Sequence, residues 1–273
     1  RLFDENGQFI KTTPIALECA SMKRGPGIDS EVTLPILQGE IDGASFTAPE
    51  ITGGQSGSLL ATAGALQATV RIRQVPQLPY KENFESIGAG TIPGGWTNTQ
   101  LRYITKTLDD GNTVLMKTAT IAVPFYRQWY AFIGTPDQKD YTITADMMGE
   151  KVRDNLPNMG VTAHRYILQM VGNEQKLRLS AWDAMPRIAK EIDFAWDPST
   201  WYQLKMTVKV EGKQAIIQGK AWKKGDPEPG EWNLELIDEN PNPSGAPGLY
   251  GSALGIQPPK PGTPIYYDNI QVQ

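Results

Sequence analysis

The sequence predicts an all-β protein made of two unequal domains. Its 27 Gly and 21 Pro are spread along all 273 residues, and the apolar runs between them are short. Such a pattern favours many strands joined by turns, and no stretch has the apolar spacing of an amphipathic helix. A chain of this length buries a substantial core as one large domain or as two, and we favour two.

Composition excludes several classes of function. The 26 basic and 30 acidic residues give a net charge of -4. The chain therefore lacks the excess of positive charge that binds nucleic acid. No apolar run approaches the roughly 20 residues that span a bilayer, so membrane insertion is not expected. The single Cys19 excludes an intrachain disulfide, and the single His164 excludes a site built from two imidazoles.

The first 75 residues carry signals of short strands and tight turns. Asn6-Gly7 between apolar residues predicts a β-hairpin. The segment Phe46-Thr47-Ala48-Pro49 precedes a Gly-Gly turn and two runs that predict a strand pair, 58–63 and 64–72. Apolar and polar residues alternate in the second run, as in a half-buried strand. These motifs resemble the closing half of bacterial immunoglobulin-like repeats, which implies an immunoglobulin-like domain over residues 1–76.

A Pro-rich connection at 75–79 leads into the second domain, residues 77–273. Short apolar segments separated by turn signals predict a sandwich. Its landmarks are, in order, F-E-S at 84–86, Trp96, D-Y-T-I-T-A-D-M at 140–147, W-Y-Q-L-K-M-T-V at 201–208, G-K-A-W at 219–222 and Y-Y-D-N-I-Q-V at 266–272. They resemble the landmarks of the concanavalin A-like (laminin G-like) jelly-roll sandwich. The predicted fold is therefore a small immunoglobulin-like β-sandwich followed by a larger concanavalin A-like β-sandwich.

The chain as a whole resembles the C-terminal region of bacterial PQQ-binding-like β-propeller repeat proteins, in which immunoglobulin-like and lectin-like modules follow the propeller. This resemblance implies a secreted or periplasmic protein with an upstream propeller domain as a partner. The start at Arg1, without an initiator Met or a signal peptide, leads us to expect a mature or excised part of a longer chain. No blade repeat is visible, so no PQQ is expected in this fragment.

A carbohydrate-binding surface is the first predicted site. Sugars bind to aromatic faces and planar polar groups, which a sandwich can display on one sheet. Arg178 and Trp182 share one face of a predicted strand, His164 and Tyr166 lie on the strand before it, and Asp146 lies on a neighbouring strand. We therefore predict that these five residues bind a polysaccharide or another glycan. The alternative is that the aromatic residues belong to the core.

A structural calcium ion is the second predicted site. Related sandwiches often hold Ca²⁺ where the first and last strands run together, and the resemblance implies Glu85 and Asp268 as its ligands. Carboxylate oxygens are the ligands that calcium prefers, although two acidic residues do not define a site of 6 to 8 ligands. The alternative is that Asp268-Asn269 caps a strand turn.

No catalytic centre is predicted. Glu191-Ile192-Asp193 begins the E-x-D-x-x-E pattern of a laminarinase-type glycosidase, but Trp196 stands where the final Glu is required. No G-x-S-x-G elbow accompanies the histidine. We therefore predict a non-catalytic accessory or binding module of an extracytoplasmic bacterial protein.

Two alternatives to the binding module stay open. The first is a glycoside or keto-disaccharide hydrolase, which requires two facing carboxylates, at least one with a raised pKa. The candidates for that pair are Asp146, Glu150, Glu174 and Asp183. The second is a structural or protein-docking module, which requires an exposed apolar patch.

Overall fold

The structure is a computed structural model, and it describes residues 1–22, 34–51, 53–120, 128–181 and 187–273. Every regular element in these residues is a β-strand, which confirms the predicted all-β fold class. Within the same residues, no helix has the length and apolar character needed to cross a membrane.

The N-terminal unit consists of two hairpins and a three-stranded sheet. Its strands are β1 (Leu2–Phe3), β2 (Phe9–Lys11), β3 (Ala16–Ser21), β4 (Glu40–Asp42), β5 (Ser45–Thr47), β6 (Gln55–Ala63) and β7 (Leu66–Gln74). β1 pairs with β2, β4 pairs with β5, and the sheet has the order β3–β6–β7. The hairpin predicted at Asn6-Gly7 is β1–β2, and Asp4 Oδ1 accepts the backbone N–H groups of Asn6 and Gln8 in its turn.

The strand pair predicted over 58–72 is confirmed as β6 and β7, but the half-buried face predicted for β7 is wrong. Leu66 and Val70 are 55% and 52% exposed, because β7 is the edge strand of a three-stranded sheet. Alternation along a strand shows which face is apolar. It does not show whether another layer covers that face.

The N-terminal unit and the larger unit meet at glycine residues. A Cβ atom added to Gly54 would lie 2.7 Å from Gly94 O, and one added to Gly95 would lie 2.3 Å from Gln74 O. The N–H group of Gly95 donates to Ser56 Oγ at 3.0 Å. At this junction, backbone therefore packs directly against backbone.

Two antiparallel sheets form the larger unit. The strands of the first sheet are β8 (Tyr80–Glu82), β9 (Tyr103–Thr107), β10 (Thr113–Lys117), β12 (Thr142–Gly149), β17 (Tyr202–Glu211), β18 (Gln214–Lys223), β19 (Leu234–Asp238) and β21 (Ile265–Val272). This eight-stranded sheet has the order β19–β18–β17–β12–β21–β10–β9, and β8 also pairs with β21. The predicted boundary at 75–79 lies in the connection between β7 and β8.

The second sheet of the larger unit has six strands. They are β11 (Gln128–Phe132), β13 (Asn158–Ala163), β14 (Tyr166–Val171), β15 (Lys176–Ala181), β16 (Ala189–Asp193) and β20 (Gly248–Ser252), in the order β11–β20–β13–β14–β15–β16. The core of the sandwich lies between the sheets and includes Ile143, Ala145 and Met147 of β12, Leu204, Met206 and Val208 of β17, and Leu168, Leu177 and Leu179 of the six-stranded sheet. Since side chains alternate along a strand, the residues between these core positions lie on the outer faces.

A tight turn interrupts the single strand on which the sequence predicts His164 and Tyr166. His164 and Arg165 form this turn between β13 and β14, with φ angles of 49° and 66°. Hairpin turns with two positive φ angles are usually made by Asn-Gly or Asp-Gly. His-Arg carries no such signal, so the turn was not predicted. The prediction that His164 and Tyr166 lie on one strand is therefore wrong.

Candidate functional site

The outer face of the eight-stranded sheet carries a patch of polar side chains on adjacent strands. Its members are Gln271 and Gln273 at the C-terminal end of the chain, Thr142 and Thr144 of β12, Gln203 and Lys205 of β17, and Trp222 of β18. Strand pairing aligns them in rows, because Gln271 lies opposite Thr144, Thr144 lies opposite Lys205, and Gln203 lies opposite Trp222. Thr144, Gln203 and Gln271 each stand between two core residues of their own strands.

These side chains line a cavity of about 290 Å³, which we call the glutamine pocket. Asp226 and Glu228, from the loop after β18, complete its wall. Typical small-molecule sites have volumes from about 300 Å³ upward, so the pocket has room for a ligand the size of one small ring. Trp222 is the one aromatic residue among its described lining residues.

The loop after β18 closes one side of the glutamine pocket. Glu228 Oε1 lies 2.9 Å from Lys205 Nζ and 2.6 Å from Lys220 Nζ, and Lys220 also donates to Pro229 O at 2.6 Å. Lys220 Nζ lies 4.8 Å from the ring centre of Trp232, within cation–π range. Hydrogen bonds from Lys220 and Lys205 hold the pKa of Glu228 below its usual range. Together these contacts hold the loop over β18 and leave Lys220 only 5% exposed.

A buried carboxylate lies beside the pocket and bonds one of its lining residues. Asp146 is 1% exposed, and its Oδ1 accepts a hydrogen bond from Gln203 Nε2 at 2.8 Å. Its Oδ2 accepts from Asn269 Nδ2 at 2.9 Å and lies 2.6 Å from Lys224 Nζ. Lys224 Nζ in turn lies 5.6 Å from the ring centre of Trp201. This network holds the amide of Gln203 in one orientation.

The hydrogen-bonding groups of the glutamine pocket are a mixture of donors and acceptors. Within the described part of the chain, no protein group bonds to the hydroxyls of Thr142 and Thr144, to Gln203 Oε1 or to Gln271 Nε2. Hydroxyls donate and accept, the carbonyl oxygen accepts, and the amide nitrogen donates. Around the pocket, the positive charges of Lys205 and Lys220 balance the negative charges of Asp226 and Glu228. Such a lining matches a neutral ligand with several hydroxyl groups better than an anion or a cation.

Comparisons with known proteins give distant structural likenesses. No protein-family model and no curated protein sequence matches the chain. It is similar to a bifunctional GH43-CE protein of Bacteroides eggerthii, with a TM-score of 0.44 and 8% identity over 80% of this chain and 33% of the other. The chain thus spans about a third of that protein's length.

Two further solved structures share this level of likeness. One is described with endo-acting O-glycanases that members of the human gut microbiota express to initiate mucin breakdown; its TM-score is 0.39, with 10% identity over 72% of this chain and 93% of the other. The other is the catalytic domain of a GH131 β-glucanase from Podospora anserina, with a TM-score of 0.38 and 10% identity over 71% of this chain and 84% of the other. Likenesses this distant do not bear on the activity of the chain.

The single glycan-binding surface predicted from the sequence is not formed. Arg178 lies on the outer face of the six-stranded sheet, where its side chain bonds Glu191 at 2.7 Å and Glu174 at 2.9 Å. Asp146 lies on the other sheet. Trp182 lies outside the described residues.

Tyr166 points into the core, on the face of its sheet opposite to Arg178. Its hydroxyl donates a hydrogen bond to Asp238, and the same carboxylate accepts hydrogen bonds from both terminal nitrogens of Arg187. Burial, and then the hydrogen bond to Asp238, raise the pKa of Tyr166 to about 12. Asn242 N–H donates to the same hydroxyl at 3.2 Å. Tyr166 therefore anchors the chain after β19 to the core.

His164 is fully buried in the β13–β14 turn. Its Nε2 accepts the backbone N–H of Asp140 at 3.2 Å, and its Nδ1 lies 3.4 Å from Asn242 O. The Nε2 acceptor role requires the proton on Nδ1. Burial lowers the pKa of His164. The neutral imidazole therefore joins two loops of the protein.

The predicted calcium ligands bond to protein N–H groups. Asp268 is 3% exposed, and its Oδ2 accepts from Asn112 Nδ2 and Asn269 Nδ2, each at 3.1 Å. Glu85 Oε1 accepts the N–H of Thr113 at 3.0 Å. Among the described residues, no three His, Cys, Asp or Glu side chains converge on one point. Two carboxylates supply only part of the 6 to 8 oxygen ligands of a calcium site, and calcium here stays a prediction.

Among the carboxylates considered for an acid/base pair, Asp146 and Glu174 lie on different sheets and share no cleft. Glu174 pairs with Arg178 beside the six-stranded sheet, whereas Asp146 lies on β12 of the other sheet. Asp183 lies outside the described residues. Asp146 does lie opposite Asp268, whose pKa is raised by burial and by Asp146. Both carboxylates are almost fully buried, so neither is placed to meet a substrate.

Sequence reasoning missed the glutamine pocket although the signal was present. The landmark segments T-I-T-A-D, Y-Q-L-K and I-Q-V-Q alternate core residues with the residues that line the pocket. These segments were used as markers of the fold. Only the strand register, with Gln271 opposite Thr144 and Thr144 opposite Lys205, brings their polar positions together.

Proposed function

We propose that this chain is a non-catalytic accessory module that binds neutral carbohydrate in the glutamine pocket. The observation that carries the proposal is the set of unpartnered hydroxyl and amide groups in a charge-balanced cavity of about 290 Å³. Sugars present hydroxyls that both donate and accept, so such a lining can satisfy a sugar without burying an unpaired charge. Trp222 borders these groups and, at 8% exposure, adds only a small apolar edge.

The wider proposal keeps what the resemblance implies for the rest of the protein. The N-terminal unit acts as a spacer, the protein is secreted or periplasmic, and a propeller domain precedes the module. The glycine contacts at the junction support the spacer role, because they fix how the N-terminal unit meets the sandwich. The hydrolase alternative finds less support, since Asp146 and Asp268 are buried.

A glycan array with matched variants tests the proposal. Thr144→Val keeps the shape of the side chain but removes the hydroxyl that faces the pocket. Thr207→Val makes the same change on the outer face of β17, outside the pocket lining. We expect Thr144→Val to weaken binding about tenfold, the value of one hydrogen bond, and Thr207→Val to bind like the parent chain. If the folded parent chain bound no glycan on a broad array, the proposal would be rejected.

The variant Arg178→Ala distinguishes binding in the glutamine pocket from binding at the surface that the sequence predicted. Arg178 lies on the other sheet, so the pocket proposal predicts unchanged binding. Loss of binding in this variant, with Thr144→Val unaffected, would move the site to the six-stranded sheet.

A further inference from the structure

A cavity of about 660 Å³ lies where the N-terminal unit meets the sandwich, and we call it the junction cleft. This volume falls within the range of about 300 to 1,000 Å³ that is typical of small-molecule sites, which often lie between domains. Ile36 and Ile51 line the cleft from the N-terminal unit, and Ile87 and Ile92 line it from the start of the sandwich. A ligand in the cleft would therefore contact both units.

The large apolar side chains of the junction cleft are aliphatic. They belong to Met22, Leu34, Ile36, Ile51, Ile87 and Ile92. Ile36 is 63% exposed, so a ligand that covers it removes apolar surface from water. Tyr80 is the one aromatic residue among the described lining residues, and it is 4% exposed. The cleft therefore offers little aromatic surface for stacking against a sugar ring and favours an aliphatic ligand.

Most polar side chains of the lining already bond to the protein. The amide of Gln55 accepts the N–H of Gln38 and donates to its carbonyl oxygen, each at 2.8 Å. Ser56 Oγ accepts the N–H of Gly95 at 3.0 Å, and Thr91 Oγ1 donates to a backbone carbonyl at 2.7 Å. Because these groups have protein partners, an apolar ligand beside them leaves none of them without a hydrogen bond.

A single carboxylate adds negative charge to the junction cleft. Glu82 is the one charged residue among its described lining residues. Its Oε1 accepts the N–H of Phe84 at 2.8 Å, and its Oε2 accepts the hydroxyl of Tyr80 at 3.1 Å. Both donors are neutral, so they orient the carboxylate without cancelling its charge. This charge repels an anionic ligand and attracts a protonated amine.

We propose that the junction cleft binds a small amphiphile with an aliphatic body and a protonated amine. The aliphatic walls cover the body, and Glu82 pairs with the amine. The site is separate from the glutamine pocket, because the two cavities share no lining residue. It therefore gives the module a second binding activity, which does not depend on glycan binding.

Three probes with the same hydrocarbon chain test the charge preference of the cleft. Decylamine, decanol and decanoate would each be titrated below its micelle concentration into the whole chain at pH 7 by calorimetry. The amine is protonated at this pH, since amines such as that of lysine have pKa values near 10.4. We expect decylamine to bind about tenfold more tightly than decanol, and decanoate to bind more weakly than decanol. Equal affinity for decylamine and decanoate, or no binding of any probe, would overturn the proposal.

Substitutions at Glu82 and Ile36 test whether the probes bind in the cleft. Glu82→Gln keeps an acceptor for the N–H of Phe84 but removes the charge, so decylamine should then bind no more tightly than decanol. Ile36→Asn should weaken decylamine about tenfold. Ile237→Asn makes the same change at a 54% exposed residue of β19 outside the lining, and it should bind decylamine like the parent chain. An equal loss in both isoleucine variants would show adsorption to exposed apolar surface and refute the cleft as the site.

Hydrogen exchange tests whether the ligand lies between the two units. The N–H of Gly95 donates to Ser56 Oγ across the junction, and Gly54 and Gly94 line the cleft where the two main chains touch. Because a ligand that contacts both walls stabilises the contact between them, saturating decylamine should slow the exchange of the Gly95 N–H. Unchanged or faster exchange at Gly95 would contradict binding between the units.

Discussion

Gln203 Nε2 donates to Asp146 Oδ1 at 2.8 Å, so a buried carboxylate decides which end of the amide faces the glutamine pocket. The acceptor Oε1 is thereby presented to a ligand. Asp146 is a positioning residue: it does not line the pocket, but it orients a residue that does.

Asp146→Asn should weaken both the fold and binding. An asparagine offers one acceptor oxygen where Gln203, Asn269 and Lys224 now share two. We expect the free energy of unfolding in urea to fall by about 1–3 kcal/mol and glycan affinity to fall about tenfold. Asp226→Asn, on the exposed rim, should change stability by less than about 0.5 kcal/mol. Equal stability of the two variants would show that the network does not act as described.

Glu228 should contribute stability that depends on pH. Its pKa is lowered in the folded protein by Lys220 and Lys205. The contribution is therefore present above the ordinary glutamate pKa of about 4.3 and is lost as the pH falls through the lowered value. The difference in unfolding free energy between the parent chain and Glu228→Gln should be at most about 1 kcal/mol at pH 7, because the side chain is 43% exposed. A difference that grew toward acid pH would contradict this assignment.

His164 should make the fold less stable at mildly acid pH. Burial lowers its pKa, so the folded state binds a proton more weakly than the unfolded state. Its stabilising contribution is complete above the unfolded pKa of about 6.5 and declines as the pH falls below it. His164→Asn, which tolerates a positive φ, should flatten the fall in stability between pH 6.5 and pH 5 in urea titrations. An unchanged slope would mean that another group titrates there.

Tyr166→Phe should destabilise the protein without affecting glycan binding. The variant removes the hydroxyl that donates to Asp238 and accepts from Asn242, at a cost of about 1–3 kcal/mol in unfolding free energy. The ring lies in the core, away from the glutamine pocket. Loss of affinity from a variant of parental stability would instead support a binding role for Tyr166.

The strand pattern of the sandwich could be predicted because it depends on local information. Turn residues and alternating apolar positions mark strands such as β17 and β18 without knowledge of their neighbours. The His164-Arg165 turn could not be predicted in this way, since neither residue is typical of its backbone conformation. The exposed face of β7 was missed because burial depends on a second layer, which the strand itself does not encode.

The site was harder to predict than the fold because it depends on register. Arg178 and Tyr166 lie on neighbouring strands, yet their side chains point to opposite faces of the sheet once the turn at His164 is in place. A shift of one residue in a strand exchanges its two faces. The pocket residues Thr144 and Gln271 show the same dependence, since they are distant in the sequence and adjacent across β12 and β21.

The glycine junction determines where the pocket faces. Gly54, Gly94 and Gly95 allow the main chains of the two units to touch, and any side chain added there would act as a wedge between them. The tilt of the sandwich relative to the N-terminal unit therefore depends on close backbone packing at these glycines, together with the hydrogen bond from Gly95 to Ser56. A methyl group added at Gly95 would clash with the backbone of Gln74, although Gly95 does not line the pocket. The orientation of the pocket relative to the N-terminal unit therefore depends on residues other than those that would contact a ligand in it.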